Sequence, residues 1–194
     1  MLENGKRLGR VQLNVPGLHN VSNARAAIAV ARHENIDFET ISHALSIFKQ
    51  SKRRYAEIFH KSGAVIVHDY AHHPTEILAT LSVAKERTNG KLIVVFEPHT
   101  YSRTQYLWKE FCACFNGVDK VIFTPIYPAR ERSIFGITSE NLAKAVQRTG
   151  VDATSVNSFE QAANKLQPYL AEGNTILILG AGTIVHLAEE FGLA

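Results

Sequence analysis

Four short apolar runs mark the chain beyond residue 60, and each ends in a polar cluster. Ala64-Val65-Ile66-Val67 runs into His68-Asp69-Tyr70, and Leu92-Ile93-Val94-Val95-Phe96 into Glu97-Pro98-His99. Val121-Ile122-Phe123 leads to Pro125-Ile126-Tyr127, and Thr175-Ile176-Leu177-Ile178-Leu179 to Gly180-Ala181-Gly182. Continuous apolar runs bounded by turn residues predict strands buried on both faces. Helical spacing fills the intervals. One helix is predicted from Pro74 with Ile77, Leu78, Leu81 and Ala84 inward, and another over residues 106–115. A third is capped by Thr138 or Ser139 and runs to about Arg148. Ser158 and Gln161 have capping-box spacing for a fourth, and a last helix follows Gly182. This alternation predicts an α/β fold with a doubly wound, mostly parallel, Rossmann-like sheet. Ligands in such folds bind beyond the C-terminal ends of the strands, which is where the polar clusters fall.

The first fifty residues have a different rhythm. Val11-Gln12-Leu13-Asn14-Val15 alternates and predicts a strand closed by Pro16-Gly17. Helical spacing follows over residues 20–32 and 38–48, the second with Ile41, Leu45 and Phe48 on one face. Lys49-Gln50-Ser51-Lys52-Arg53-Arg54 then forms a basic stretch. A domain boundary is expected there, dividing residues 1–52, a short helical remnant with a hinge, from residues 53–194.

Composition narrows the class. A chain of 194 residues with 45% hydrophobic residues has enough apolar material to fold without disulfide or metal. A net charge of +3 does not imply nucleic-acid binding. No stretch approaches the roughly 20 apolar residues of a membrane span, and Met1-Leu2-Glu3-Asn4-Gly5-Lys6 carries no apolar signal core, so the chain reads as cytoplasmic with no membrane partner. Cys112 and Cys114 lie two apart in a helical pattern, where side chains do not face each other, so two reduced thiols are expected.

The strand ends carry the candidate chemistry. His72-His73-Pro74 opens a helix with proline at its first position, and spare N–H donors there suit an anion. Adjacent histidines with no further ligand at metal spacing do not make a zinc site, and both could instead serve as loop hydrogen-bonding groups. Arg103 offers a planar fork for carboxylate or phosphate, or equally a surface ion-pair partner. Asp69 could orient a hydroxyl or cap a turn. Gly180-Ala181-Gly182 has the outline of a phosphate loop, but a tight turn would require the same glycines, and no G-x-x-x-x-G-K-[ST] occurs in the chain.

Taken in order, six segments resemble the Mur ligase family. Gly17-Leu18-His19-Asn20-Val21-Ser22-Asn23-Ala24 resembles G-x-H-N-x-x-N-A, and Lys52-Arg53-Arg54 the family's basic pair. Asp69-Tyr70-Ala71-His72-His73-Pro74-Thr75-Glu76 resembles D-Y-[AG]-H-H-P-T-E. Phe96-Glu97-Pro98-His99-Thr100-Tyr101-Ser102-Arg103-Thr104 resembles F-Q-P-H-x-[YF]-[ST]-R-T. Ile126-Tyr127-Pro128-Ala129-Arg130-Glu131 and the terminal G-A-G complete the set. The resemblance implies the end of a central ATP-binding domain followed by a C-terminal amino-acid-binding domain. It implies an ATP-dependent ligase of peptidoglycan precursor synthesis, with Mg2+ held in the central domain, in which an activated carboxylate is attacked by an amine. The H-H-P-T-E and H-x-Y-S-R-T segments are similar to those of the member that joins L-alanine to UDP-N-acetylmuramate. In that reading His19, Asn20 and Asn23 contact adenine, Arg54 the phosphates, and Asp69 the ribose or phosphate region. Tyr70, His72, His73, His99 and Arg103 line the L-alanine pocket, and the domain closes over ATP. The sequence departs from the family pattern at Gln50 for glycine, His68 for aspartate, Thr100 for arginine and Phe135 for proline. With no P-loop, the chain alone is expected to be inactive. Alternatives are a non-catalytic nucleotide- or partner-binding module and the sister ligase that recycles murein tripeptide, the latter disfavoured by Tyr101-Ser102-Arg103-Thr104.

Overall fold

The structure, a computed structural model, describes residues 1–3, 5–49, 51–59 and 62–191. Gln50, within the basic stretch, lies outside them, as does Asn4. The chain forms two compact units, Met1–Ser51 and Lys52–Ala194.

In the first unit a two-stranded antiparallel ribbon, β1 (Leu2–Glu3) with β2 (Lys6–Arg7), precedes α1 (Leu18–His33) and α2 (Phe38–Ile47). Asp37 caps α2 by accepting from the Thr40 N–H at 2.8 Å, and a bidentate Arg32–Glu3 pair ties α1 to the ribbon. The strand expected over residues 11–15 does not form. Its side chains keep the alternation, with Val11, Leu13 and Val15 half-buried and Gln12 and Asn14 exposed, but no second strand pairs with it among the described residues. Alternation selects a face; a ladder also needs a partner.

The second unit is a six-stranded sheet in the order β3-β4-β8-β5-β6-β7. Its strands are β3 (Ala56–Phe59), β4 (Val65–Asp69), β5 (Leu92–Phe96), β6 (Lys120–Phe123), β7 (Ala153–Ser155) and β8 (Thr175–Leu179). All neighbours run parallel except the edge pair β3–β4. The mostly parallel α/β fold is as the apolar runs predict. The strand period divides side chains between two faces. Val67, Val94, Phe96, Val121, Phe123, Leu177 and Leu179 enter one apolar cluster. Ile66, Ile93, Val95, Ile122, Ile176 and Ile178 enter the other. The first cluster is covered by α3 (Pro74–Arg87), α5 (Trp108–Ala113) and α6 (Ser139–Gln147), the second by α7 (Phe159–Leu166) and α8 (Val185–Glu190). Strands β4, β5 and β6 exit toward helices on the first face, and β8, seated between β4 and β5, exits toward the second. Both sides of β8 are therefore topological switch points, where connections part and leave a crevice.

Several local expectations change. Leu78 is 52% exposed, because the inward face of α3 is Ile77, Thr80, Leu81, Val83 and Ala84. The helix expected over residues 106–115 starts earlier, as α4 (Tyr101–Tyr106), and breaks at Leu107 before α5. Thr138 caps α6. Ser158 caps α7, but the Gln161 side chain accepts from the Asn157 N–H, one residue before the cap, so the box is only half made. Cys112 and Cys114 are free thiols, the latter pushed up to about 12 by burial.

Candidate functional site at the strand ends

Four aromatic rings from three strand-end loops stand in a row. Tyr70 meets His72 edge-on at 5.4 Å, His72 meets His99 at 5.5 Å, and His99 meets Tyr127 at 5.4 Å. The row is built by backbone pairing that continues past the strands. His99 and Tyr127 form a parallel bridge, with the Thr100 N–H donating to the Tyr127 carbonyl and the Tyr127 N–H to the Pro98 carbonyl, both at 2.8 Å. Cations stand at both ends. The guanidinium groups of Arg53 and Arg54 lie 4.8 and 5.4 Å from the Tyr70 ring centroid, and Arg103 Nη1 is 3.1 Å from His99 Nδ1.

Glu76 organises the His72 side. Its Oε2 accepts from the N–H groups of His72 and His73 at 3.0 and 3.2 Å, and its Oε1 lies 4.0 Å from Arg54. Those donors and the cation hold its carboxyl below the ordinary glutamate value, against the cost of burial. His73 is the N-cap of α3, accepting from the Thr75 N–H at 3.3 Å, and lies outside the ring row. Arg103 sits in the first turn of α4 rather than in a loop. Thr100 caps that turn and holds φ at 67°, a conformation rare for a β-branched residue. Its carbonyl accepts from Thr104 Oγ1 at 2.7 Å. The position where the family pattern has arginine is thus a cap that aims α4. His99 is held below its ordinary value first by burial and then by the charge of Arg103.

Asp69 is 7% exposed, and its oxygens accept from the Tyr55 and Ala71 N–H groups, each at 2.8 Å. It fastens β3 to the end of β4, and burial raises its carboxyl. At the other switch point Glu97, 2% exposed, accepts from Thr183 Oγ1 at 2.8 Å, while its Oε2 has no hydrogen-bond partner. Burial raises this carboxyl too, offset by Thr183 and the N–H groups of residues 182–184. The glycine loop therefore turns its donors toward an internal carboxylate instead of presenting them as a phosphate cradle. A side chain at Gly182 would strike Glu97 Oε2 and the Tyr127 ring, so glycine is required by close approach.

His19, Asn20 and Asn23 lie at the start of α1 in the first unit. Asn20 donates to the Pro16 carbonyl at 2.6 Å, the Asn23 amide to Asn20 Oδ1 at 3.4 Å, and His19 is exposed. In the second unit the structure brings together Arg54, Tyr70, His72, His99 and Arg103. Sequence reasoning missed Arg53, Glu76, Glu97 and Tyr127, although all four lie inside the quoted motifs. Their signal was position, each being a polar or aromatic residue within a few places of a strand end or helix start. Among the described residues no group of three or more His, Cys, Asp or Glu could hold a metal ion, and no helix is long and apolar enough to cross a membrane.

These features define a doubly wound α/β domain with a row of tyrosine and histidine rings, flanked by arginines, at its strand ends. Residues 53–182 match the family described as Mur ligase, glutamate ligase domain, and the chain belongs to the Mur ligase family. It is 39% identical over 191 residues to the UDP-N-acetylmuramate–L-alanine ligase of Clostridium perfringens, covering 98% of this chain and 42% of that protein. It is 41% identical to the ligase of the same name from Desulforamulus reducens, covering 95% and 40%. Its fold superposes on the UDP-N-acetylmuramate–alanine ligase of Thermotoga maritima with a TM-score of 0.78 and 29% identity, covering 98% of this chain and 40% of that one. The chain thus spans about two fifths of the length of these relatives.

Proposed function

We propose that the chain is the amino-acid-binding portion of an ATP-dependent ligase that joins L-alanine to UDP-N-acetylmuramate, a step of peptidoglycan precursor synthesis. The observation that carries this reading is the row of Tyr70, His72 and His99 rings flanked by Arg103 on one side and by Arg53 and Arg54 on the other. With Glu76 beside His72 it presents both signs of charge, which suits a short zwitterion, and the names of the relatives agree with it. Arg103 would clamp the carboxylate of L-alanine, a role for which its planar fork is suited. Tyr70, His72 and His99 would form the walls, with His73 setting the start of α3. Arg54 would face the nucleotide phosphates beside Asp69, and His19, Asn20 and Asn23 the adenine. Residues 1–52 would be the tail of the central ATP-binding domain and residues 53–194 the amino-acid domain closing over ATP, with residues 49–54 as the pivot.

The described residues supply neither a P-loop cradle for the triphosphate nor a ligand cluster for Mg2+. The chain has no P-loop, the donors of its glycine loop face Glu97, and no metal cluster occurs among the described residues. Activation of the sugar carboxylate belongs to other parts of the ligase, and the residues here bind and orient the amine. The test uses the purified 194-residue chain. L-alanine should perturb the resonances of His99 and Tyr127, while incubation with ATP, Mg2+, UDP-N-acetylmuramate and L-alanine should yield no ligated product. Absence of any L-alanine response defeats the pocket assignment, and ATP-dependent product from the chain alone defeats the division of labour.

A further inference from the structure

Among the described residues, Glu97 Oε2 and Thr124 Oγ1 are both buried and both without a hydrogen-bond partner. They are neighbours by register. Phe96 pairs with Phe123, and the Thr124 N–H donates to the Phe96 carbonyl at 3.0 Å. Glu97 and Thr124 are therefore the next pair, on the sheet face of Val95 and Ile122. The glycine loop closes over Glu97. Its Oε1 accepts from the Thr183 hydroxyl at 2.8 Å, and the N–H groups of residues 182–184 face the carboxyl. Its Oε2 lies against the place where a Gly182 Cβ would stand, a place that the Tyr127 ring also touches. No cation pairs with this carboxyl among the described residues. Arg53 reaches the loop but stops at the Gly180 carbonyl, 3.5 Å from its Nη2, and the influences on Glu97 are burial and the uncharged donors of residues 182–184.

We propose that Glu97 is a positioning residue that seats Tyr127 against His99, and that it holds this seat as a neutral carboxylic acid. A buried carboxylate needs donors at both oxygens, and here one oxygen has none. A carboxylic acid needs donors at one oxygen and offers the other as an O–H, with Thr124 Oγ1 the unpartnered acceptor on the neighbouring strand. Burial raises the carboxyl above its ordinary value, and the donors of residues 182–184 offset only part of that. When the proton leaves to solvent at higher pH, Oε2 becomes a charge without a partner between the Gly182 backbone and the Tyr127 ring. Turning that oxygen toward water relieves it, and the turn moves Gly182 and Tyr127 together. Tyr127 lies 5.4 Å from His99, so the state of Glu97 passes to the end of the ring row. This link concerns the geometry of the row and is independent of the ligand the row holds.

Carbon-detected spectra of the 194-residue chain, assigned through the backbone, follow the Glu97 carboxyl directly. Its midpoint is expected above 4.5, with the Gly182 amide and the Tyr127 ring shifting at the same midpoint. Asp69, which burial also raises, is read separately at its own carboxyl carbon. His99 titrates beside Tyr127, held below 6.5 by burial and then by Arg103. The part of the Tyr127 response that belongs to Glu97 is therefore the part that Glu97→Gln abolishes. The amide is neutral at every pH and should keep the low-pH pattern of Gly182 and Tyr127 throughout. An acid whose folded pKa is raised contributes stability that is present below its unfolded value and lost as pH rises. In urea the wild type should accordingly weaken relative to Glu97→Gln as pH rises from 4.5. A carboxyl midpoint at or below 4.5 overturns the neutral seat. A raised midpoint that neither Gly182 nor Tyr127 follows, or a Glu97→Gln chain with the full wild-type response, overturns the positioning role. The wild-type titration alone decides both points where the variant does not fold.

Discussion

Arg103 and His68 represent two ways in which a single residue carries function or stability here. Arg103 is half-buried in the first turn of α4, with one guanidinium nitrogen on His99. As a carboxylate clamp, its loss should weaken L-alanine binding by about 30-fold or more, the effect of removing one partner of a charge-assisted pair. Arg103→Lys should restore only part of this, because an ammonium lacks the planar fork. Titration of L-alanine against Arg103→Ala decides the matter, since affinity within about twofold of wild type is what a surface ion-pair residue would give. His68 is 2% exposed in β4 with Nε2 lacking a partner, and burial, aided by Arg53, lowers its pKa from 6.5 to about 4. A base whose folded pKa is depressed stabilises the fold above its unfolded value and loses that contribution as pH falls. Between pH 6.5 and 4 the wild type should therefore lose up to about 3 kcal/mol more than His68→Val. Parallel urea curves for the two proteins across that range, falling equally, would remove the histidine as the cause.

At the scale of elements the site depends on how loops are seated against one another. Gly182 follows β8, Glu97 follows β5 and Tyr127 follows β6, and the three meet where a Cβ on Gly182 has no room. Gly182→Ala should cost about 1–3 kcal/mol by overpacking and should displace Tyr127 from His99, visible as a lowered melting temperature together with altered ring resonances of both. Unchanged resonances would show that the loop gives way elsewhere. The motifs around these elements were legible in the sequence, because apolar runs locate β4, β5, β6 and β8 and polar clusters mark their ends. The short elements were not. Strand β3 has four residues and β7 three, too few for periodicity to show. The early start of α4 was hidden because Thr100 takes a positive φ that its residue type disfavours, held by bonds to Tyr127 and Thr104.

For the whole molecule, the two apolar clusters of the sheet draw only on residues 55–191, whereas the buried apolar residues described in the first unit are Ala24, Ile28 and Ile41. Residues 53–194 alone should therefore unfold cooperatively in urea with a midpoint near that of the whole chain, and residues 1–51 alone should show no cooperative transition. A broad, non-cooperative transition for residues 53–194 would mean that the boundary is misplaced. By itself the sequence determined the class of fold, the four central strands, the helix starts at Pro74, Ser139 and Phe159, and the family, because these depend on periodicity, caps and motifs local to the chain. Only the tertiary structure decided that β8 sits between β4 and β5, that Thr100 is a cap, that the glycine loop faces Glu97, and that His72 and His99 lie 5.5 Å apart behind opposite partners. Those arrangements join residues as distant in the chain as Val65 and Thr175, and a hydrogen bond or ring contact across such a distance is set by packing of the sheet, which no local pattern encodes.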